Sequence, residues 1–499
     1  MQAPFPASDA WQDATTVLAL LQRAVAWAPD AEAVVCGPAR LTYRQYLQAV
    51  AGLAVRLRAL GAAGERVALL SANSAEAAVA TLAIQAAGAV FCPMNPAYTE
   101  RELRQILDDC RPRIAVCDAV CAPLVLGLAA ETGIAHVIVP DGFAQTGDGA
   151  LELPDAGAIG MIQYTGGTTG RPKGVMLTHR AIATNVLQRE VFLPTRSGDR
   201  FLCMMPLFHS FALAMNLYQA LVCAGTLVIL PRYRPDRVVA ALAEERISVL
   251  PAGATVFTGL LGYEGFAGAD LRQLRACYSG ASALPAEILR RWEDATGVPI
   301  YEGYGQTEAG PILTYNSPGF TMKPGHVGLP LPGTDIQIVD AVTGLPTDLP
   351  GEIRARGPQI MVGYWNRAEE TASALRDGWL HTGDIGVIDG DGHLAILDRL
   401  KDMVITGGYN VYPREVEDVL LMLPQVREAA VFGVPDAYRG EVLHAHVVLH
   451  QPMAVADILA HCGANLAKYK VPASLAVVEA IPRTGVGKID KVALRRFSA

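Results

Sequence analysis

The sequence contains Tyr164-Thr-Gly-Gly-Thr-Thr-Gly-Arg-Pro-Lys-Gly-Val-Met176, a loop rich in glycine and hydroxyl side chains with a single lysine. Glycines let backbone N–H groups approach an anion closely, while the hydroxyls and the lysine ammonium add donors and positive charge for phosphate oxygens. The apolar residues 158–164 before it predict a buried strand. The loop therefore predicts a nucleotide-phosphate site with the ligands Thr165, Gly166, Gly167, Thr168, Thr169, Gly170 and Lys173.

Three other common motifs do not fit the sequence. A Walker A loop needs Gly-Lys followed by Ser or Thr, whereas Lys173 is followed by glycine and Lys488 by isoleucine. No Gly-x-Gly-x-x-Gly follows a predicted strand, and the run from Gly280 lacks the second glycine of a hydrolase nucleophile elbow. Nicotinamide-dependent enzymes and serine hydrolases are therefore disfavoured.

Five further segments accompany the loop along the chain. They are Pro206-Leu-Phe-His209, Gly303-Tyr-Gly-Gln-Thr-Glu308, Gly378-Trp-Leu-His-Thr-Gly-Asp384, Asp398-Arg-Leu-Lys-Asp402 continuing into Gly407-Gly-Tyr-Asn-Val-Tyr-Pro-Arg-Glu-Val-Glu417, and Pro482-Arg-Thr-Gly-Val-Gly-Lys488. With the loop, they make the chain resemble the adenylate-forming superfamily, which includes acyl-CoA synthetases, peptide-synthetase adenylation domains and luciferases. The segments keep the family's order over most of the chain, and the pattern is most similar to AMP-forming acyl- or aryl-CoA ligases.

Composition narrows the class of protein further. A chain of 499 residues is too long for one typical core, and its 48 Gly and 32 Pro fit a globular protein with many turns. A formal charge of −8 gives no basic surface for nucleic acid. The nine cysteines lie mostly in apolar surroundings, which favours a reducing cytoplasm, and a metal site at Cys110, Cys117 and Cys121 is disfavoured because no histidines accompany them. The first residues lack a basic n-region and an apolar h-region, so export is not expected.

The order of elements predicts an α/β fold in two parts. Helices over 43–60, 100–109 and 237–246 alternate with short apolar strands over 66–70, 114–117 and 136–139, which is typical of βαβ units. We expect a large N-terminal part of layered sheets with helices over 1–398, and a small mobile α+β C-terminal domain over 399–499. The resemblance implies a hinge at Lys401.

The region 201–231 is the strongest signal for a membrane span, because it contains no Asp, Glu, Lys or Arg. Polar residues, Pro206 and Gly225 interrupt it, and residues 226–230 have strand character. A strand, a loop, a buried helix and a second strand are therefore predicted there instead.

The resemblance assigns roles to residues that match the family's motifs. Glu308 would bind Mg²⁺, Asp384 would accept hydrogen bonds from the ribose hydroxyls, and Arg399 would assist beside the nucleotide. Lys488 would place a cation between the substrate carboxylate and the α-phosphate of ATP. The adenine and its surroundings would be met by Gly280, Ala281, Ser282, Glu302, Gly303, Tyr304, Gly305 and Thr307, with Tyr304 offering a stacking face. Ser282 stands where many relatives have proline.

The acyl pocket is expected at His209 and the helix after it. The proposed lining is His209, Phe211, Ala212, Met215, Tyr218, Gly280 and Gly305. Amino-acid-activating relatives carry an aspartate in this region, whereas residues 208–215 contain no carboxylate. An amino-acid substrate would bury an unpaired ammonium, so a carboxylic acid with an uncharged tail is predicted.

The sequence thus predicts an AMP-forming carboxylic acid:CoA ligase that uses ATP, Mg²⁺ and CoA on a fatty, alicyclic or aromatic acid. The second half-reaction would follow rotation about Lys401, with Gly407, Gly408 and Tyr409 beside the tunnel for the CoA thiol. Two alternatives stay open: a ligase that loads the thiol of a carrier protein, and a non-catalytic sensor of acids or nucleotides. The sequence leaves a homodimer and the identity of the acid undecided.

Overall fold

The computed structural model of the chain describes residues 11–143, 151–165, 172–407, 409–483 and 489–497. Its α-helices are Val17–Trp27, Tyr43–Ala59, Ala75–Ala86, Glu100–Cys110, Ala122–Thr132, His179–Phe192, Ser210–Ala212, Gln219–Val222, Pro235–Glu244, Ala254–Leu261, Ala286–Thr296, Ala368–Ala374, Pro413–Leu421, Val455–Asn465 and Lys491–Phe497. A π-helical segment spans Leu213–Tyr218, and short 3₁₀ turns span Glu264–Phe266, Thr307–Ala309 and Lys468–Lys470.

The described strands form four sheets, named A to D here. Sheet A has the order Leu329–Pro330, Thr314–Tyr315, Ile300–Tyr304, Ala276–Ser279, Val249–Ala252, Arg200–Cys203, Thr226–Ile229, Glu32–Cys36 and Ala39–Thr42. Sheet B has the order Gly363–Tyr364, Lys173–Thr178, Ile159–Thr165, Val90–Met94, Arg66–Leu70, Ile114–Cys117 and His136–Ile138. Both sheets are parallel in their centres, as the βαβ pattern predicts.

The two remaining sheets are smaller. Sheet C has the order Asp335–Val339, Gly351–Arg356, Trp379–Ile388 and Leu375–Arg376, with Leu394–Arg399 pairing to Trp379–Ile388. Sheet D has the order Tyr409–Val411, Val404–Thr406, Gly440–Leu449 and Val426–Asp436, with Ser474–Val477 pairing to Gly440–Leu449.

Helix Ala75–Ala86 packs between sheets A and B. Ser74 caps its first turn by accepting from the backbone N–H of Ala77, and every residue of the helix except Glu76 is buried. Contacts reach Glu32–Cys36 of sheet A and both Arg66–Leu70 and Val90–Met94 of sheet B. The small alanine side chains allow this close packing, so the largest apolar cluster runs continuously from one sheet to the other.

The uncharged region 201–231 folds as the sequence predicts. Strand Arg200–Cys203 is followed by the buried helical segment from Ser210 to Val222 and then by strand Thr226–Ile229. In the described part of the chain no helix is long and apolar enough to cross a membrane. The apolar content of this segment fills the core instead.

Sheet D and its helices form the C-terminal α+β unit. Helices Pro413–Leu421 and Val455–Asn465 pack on the sheet around a core of its own, which includes Val431, Val447 and Ile458. Its combination of helices and a mostly antiparallel sheet is the α+β class predicted for the C-terminal part. A boundary at residue 398 and a mobile relation to the rest of the chain remain predictions.

Candidate active site

Thr165 and Lys173 face each other across an antiparallel hairpin. The strands Ile159–Thr165 and Lys173–Thr178 pair along their lengths, and these two residues are the last partners of the ladder before the connecting loop. The other predicted ligands of this loop lie outside the described residues: Gly166, Gly167, Thr168, Thr169 and Gly170. The hairpin therefore brings one predicted hydroxyl ligand and the predicted lysine cation to the same end of sheet B.

Tyr364 joins the lysine of this hairpin to the predicted metal ligand. Its hydroxyl donates to Glu308 Oε1 at 2.9 Å, and Lys173 Nζ lies 5.1 Å from the centre of its ring. Burial, followed by the charge of Glu308, raises the pKa of Tyr364, so the phenol stays protonated and keeps donating. The sequence reasoning missed Tyr364, and its only signal was an aromatic pair directly after Gly363.

A second residue that the sequence reasoning missed, Asp109, braces the same region. Its Oδ2 accepts from the hydroxyl of Tyr164 at 2.7 Å, and its backbone oxygen accepts from Trp365 Nε1 at 3.1 Å. Arg367 forms an ion pair with its other carboxylate oxygen at 2.8 Å. Asp109 thus ties the strand before the phosphate loop to the segment that carries Tyr364.

Asp384 is held by two partners from distant parts of the chain. Tyr304 donates its hydroxyl to Asp384 Oδ2 at 2.6 Å, and Arg399 Nε lies 3.1 Å from Asp384 Oδ1. Asp384 and Arg399 are also direct partners in the ladder of sheet C. Burial and the charge of Asp384 raise the pKa of Tyr304 well above its ordinary value. Tyr304 therefore orients the predicted ribose acid, a role additional to the stacking face predicted for it.

The Asp384 group and the Glu308 group are connected through the short segment from Tyr304 to Glu308. The pKa of Arg399 is raised mainly by Asp384, with further contributions from Tyr304, Asp402 and Glu308. Glu308 and Asp384 are 76 positions apart in sequence, by subtraction of their numbers. The segment from Tyr304 to Glu308 thus links the predicted metal ligand to the hydroxyl that holds the predicted ribose ligand.

The loop from Gly280 to Leu284 is braced from behind by Glu302. Glu302 Oε1 accepts from the backbone N–H of Leu284 at 2.9 Å, and burial raises the pKa of Glu302 to about 7. Ala281 adopts a left-handed backbone with φ of 66°, which costs an alanine about 1 kcal/mol. Ser282 is exposed at the same loop. Contact of Gly280, Ala281, Ser282 and Glu302 with a nucleotide stays a prediction.

Two glycines of the Gly303–Glu308 segment permit close contacts with neighbouring residues. A Cβ at Gly303 would collide with the ring of Tyr315, and a Cβ at Gly305 would collide with the carbonyl of Pro311. Thr307 Oγ1 lies 3.5 Å from Ser210 Oγ, which joins this motif to the start of the predicted acyl helix. The strand end at Gly303 and the acyl segment are therefore neighbours.

The predicted acyl residues of the helical segment after His209 are buried. Phe211 packs against Gly280, where an added Cβ would lie 2.6 Å from its ring, and His209 Nδ1 accepts from the backbone N–H of Phe211 at 3.2 Å. Ala212, Met215 and Tyr218 are buried in the same core cluster as Phe211, and Tyr218 accepts from Gln85 Nε2 at 3.1 Å. Contact of any of the predicted acyl residues with substrate, Phe211 included, stays a prediction.

The predicted residues of the second half-reaction are only partly described. Lys401 is exposed in a turn after strand Leu394–Arg399, and Gly407 has a left-handed φ of 57°. Tyr409 is 56% exposed, with its ring centre 4.4 Å from that of Tyr469 in a stacked pair. Gly408 and Lys488 lie outside the described residues.

No group of three or more His, Cys, Asp or Glu side chains suited to a metal is present within the described ranges. Cys110, Cys117 and Cys121 are buried free thiols, as the sequence reasoning favours. A protein cage for a metal is therefore not built into this part of the chain. The candidate metal ligand is the single carboxylate of Glu308.

Two family models match the chain. Residues 21–365 match the AMP-binding enzyme family, and residues 415–488 match the AMP-binding enzyme C-terminal domain. A solved structure, that of the anthranilate CoA ligase AuaEII in complex with anthranoyl-AMP, superposes with a TM-score of 0.91 at 28% identity, covering 98% of each chain.

Three curated relatives are similar over most of their length. Feruloyl-CoA synthase of Amycolatopsis sp is 38% identical over 94% of this chain and 96% of its own. The 3-[(3aS,4S,7aS)-7a-methyl-1,5-dioxo-octahydro-1H-inden-4-yl]propanoyl:CoA ligase of Mycobacterium tuberculosis (strain ATCC 25618 / H37Rv) is 37% identical, covering 97% of this chain and 99% of its own. Long-chain-fatty-acid--CoA ligase of Bacillus subtilis (strain 168) is 33% identical over 95% and 93%.

Proposed function

The chain belongs to the AMP-binding enzyme family and is an AMP-forming acid:CoA ligase, and we propose that its substrate is a carboxylic acid with an uncharged alicyclic, aromatic or fatty tail. The proposal also assigns the steps of the reaction to particular residues. It is supported by one observation: Tyr304 of the Tyr304–Asp384–Arg399 group and Glu308 of the Glu308–Tyr364–Lys173 group lie on one short segment of the chain, so the two groups are directly linked.

In the first step a carboxylate oxygen of the acid attacks the α-phosphorus of ATP and pyrophosphate leaves. This reaction brings several negative charges together, so positioning and electrostatic stabilisation dominate catalysis. We assign Thr165 and Lys173 to the phosphates and Asp384 to the ribose hydroxyls. Lys488 would neutralise charge between the carboxylate and the α-phosphate. Arg399 orients Asp384 through its 3.1 Å contact.

Glu308 would suit a magnesium ion whose remaining ligands are substrate phosphate oxygens and water. Mg²⁺ usually takes one or two carboxylates together with substrate phosphates and water, rather than an all-protein cage. Glu308 is half-buried, supplies a hard oxygen, and is held in place by the hydroxyl of Tyr364. When bound, the ion would supply positive charge for the phosphate oxygens of ATP.

In the second step the thiol of CoA displaces AMP from the acyl-adenylate. We propose that residues 399–499 rotate about Lys401 between the two steps, and that Gly407, Gly408 and Tyr409 then flank the path of the thiol. The exposed turn at Lys401 and the exposed ring of Tyr409 support this assignment. Loading of a carrier protein, homodimer formation and a cytoplasmic location stay predictions.

The acid class is argued from the acyl segment. Residues 208–215 supply no carboxylate that could pair with a substrate ammonium, and Phe211 presents an aromatic surface next to Gly280. The relatives named for feruloyl and dioxo-indanyl propanoyl substrates are 38% and 37% identical, and the relative named for long-chain fatty acids is 33% identical over a longer alignment. This order favours a cyclic acid over a long linear one.

The deciding experiment follows pyrophosphate release from ATP and Mg²⁺ with benzoates, cinnamates, alicyclic acids and linear fatty acids, with and without CoA. Products are identified by mass. We expect release together with an acyl-CoA for a cyclic acid. Release that leaves only bound adenylate would point to a carrier-protein acceptor. No release with any acid would contradict the proposal and favour a sensor.

A further inference from the structure

Arg189 is a buried cation with unsatisfied donors. It lies on helix His179–Phe192, and none of its surface is exposed. Its Nη2 lies 3.4 Å from the backbone oxygen of Leu193 and 3.5 Å from Glu190 Oε2, both long for hydrogen bonds. Its Nε and Nη1 have no partner among the described residues. Buried donors of a charged group are costly to leave unpaired, so an occupant is expected beside them.

One side of Arg189 adjoins the strands that end at the candidate site. Its guanidinium carbon lies 5.0 Å from the ring centre of Tyr278, which stands two residues before Gly280. Tyr278 in turn packs edge-on against Tyr315, with ring centres 6.3 Å apart. Tyr315 is the residue that closes over Gly303, and its hydroxyl donates to the backbone oxygen of Ser279 at 3.1 Å. Arg189 therefore lies one layer of aromatic rings behind the two glycine motifs.

The other side adjoins the acyl segment. Gln219, one helical turn beyond Met215, donates through Nε2 to Glu190 Oε2. Gln219 Oε1 and Asn216 Oδ1 are also buried without a partner among the described residues. Arg189 and Gln219 both contact Glu190 Oε2, so the unpaired donors of Arg189 and the unpaired acceptor of Gln219 lie around one carboxylate, next to the segment that begins at Phe211.

Glu190 balances the charge of Arg189. Its carboxylate is saturated by the backbone and hydroxyl of Thr195 and by Gln219. A substrate carboxylate placed here would bury a second anion beside Glu190, which costs free energy. A substrate ammonium would meet a guanidinium. A neutral oxygen acceptor is the chemistry that satisfies the two free N–H groups without adding charge.

We propose that Arg189 recognises a neutral oxygen, as in a ketone, ether or hydroxyl, at the end of the acid that is remote from its carboxylate. This inference rests on the proposed function and narrows its substrate class. Arg189 then acts as a specificity residue: it fixes the tail of the acid while the carboxylate faces the nucleotide. A site built to pair with a substrate oxygen discriminates strongly against an analogue that lacks it.

The test uses non-hydrolysable acyl-sulfamoyladenosine mimics in matched pairs, measured by calorimetry. The acyl groups are para-hydroxycinnamoyl against cinnamoyl, and oxocyclohexyl-propanoyl against cyclohexyl-propanoyl. We expect the intact enzyme to bind the oxygen-bearing member of at least one pair about 10- to 100-fold more tightly. The double variant Arg189→Met/Glu190→Gln, which leaves no lone buried charge, should lose that preference and keep its affinity for the oxygen-free member. Arg180→Met, at an exposed position of the same helix, is the control.

Three results would overturn the inference. They are equal binding within every pair by the intact enzyme, equal weakening of both members by the double variant, and tighter binding of a mimic with a distal carboxylate. The first and third need no variant, so an unfolded variant does not decide the outcome. Pyrophosphate release with oxygen-free acids and CoA would leave the ligase function standing while this inference fails. If no acid caused pyrophosphate release, both the ligase function and this inference would be contradicted.

Discussion

The hydroxyl of Tyr364 donates to Glu308 Oε1 at 2.9 Å, and the same ring lies beneath the ammonium of Lys173, 5.1 Å from its centre. One side chain thus fixes the predicted metal ligand and contacts the predicted phosphate cation. Both contacts depend on the pairing of Gly363–Tyr364 with the strand that begins at Lys173. Sheet B therefore sets the relative positions of two charges that must meet the triphosphate.

Tyr364→Phe should weaken binding of ATP in the presence of Mg²⁺ but not in the presence of EDTA. The variant keeps the ring beneath Lys173 and loses only the hydrogen bond to Glu308, worth about 1.5–3 kcal/mol for a charged acceptor. Calorimetry should show roughly 10-fold weaker binding of the magnesium complex. Tyr438→Phe, at a 95% exposed position, is the control. Equal weakening with and without Mg²⁺ would reject this role of the hydroxyl.

Gly280→Ala should shift the enzyme towards smaller acids. The new Cβ would lie 2.6 Å from Phe211 Cε2, so the ring has to move. We expect kcat/KM for an aryl acid to fall about 10-fold more than that for a short linear acid, because small volume differences in a pocket are worth that much. Gly253→Ala, whose nearest atom is 3.7 Å away, is the control. Restoration by Phe211→Leu would confirm the contact, and a uniform loss for all acids would contradict it.

The sequence predicted buried strands better than it predicted contacts. The strands Arg66–Leu70 and Ile114–Cys117 have the predicted bounds. A central parallel strand is buried on both faces, so it appears in the sequence as one continuous apolar stretch. The helix predicted over 237–246 begins at Pro235 instead, since proline suits the first turn of a helix.

Pairings that join distant segments had no local signal. Tyr364 looked like any aromatic residue after a glycine, and Asp109 like the polar end of an amphipathic helix. Their roles appear only when the fold brings residues 55, 56 and 256 positions apart into hydrogen-bond distance. Arg189 was hidden for a related reason: a charged residue late in a helix is usually exposed, and here both neighbouring layers bury it.

Glu302→Gln should change how stability depends on pH. The folded state raises the pKa of Glu302 from 4.5 to about 7, so its protonated form is favoured by folding. That stabilisation is complete below about pH 4.5 and is lost as the pH rises through 7, a change of about 3 kcal/mol at most. The melting temperature of the variant relative to the natural chain should therefore rise between pH 5 and pH 8. Parallel melting curves, as expected for the exposed control Glu264→Gln, would contradict this.

Lys401→Pro should slow thioester formation more than adenylation. Proline fixes φ and would stiffen the turn after Leu394–Arg399, where we propose that the C-terminal part rotates. Adenylation is followed by pyrophosphate release, and the second step by conversion of a supplied acyl-adenylate with CoA. Lys401→Ala removes the same side chain without fixing the backbone and should retain both steps. Unchanged thioester formation in the proline variant would remove Lys401 as the pivot.

Lys488→Ala should have the opposite effect: it should slow adenylation and leave thioester formation intact. Its ammonium is assigned to the charge that develops between the attacking carboxylate and the α-phosphate, and loss of such a donor slows a reaction by about 10²-fold or more. Pyrophosphate release should fall by that factor, while a supplied acyl-adenylate should still be converted to the thioester, because that step needs no contact with departing pyrophosphate. Lys468→Ala, at an exposed position of the same C-terminal part, should retain both rates. If Lys488→Ala slowed both steps equally, the lysine would be supporting the structure of its domain rather than the first transition state.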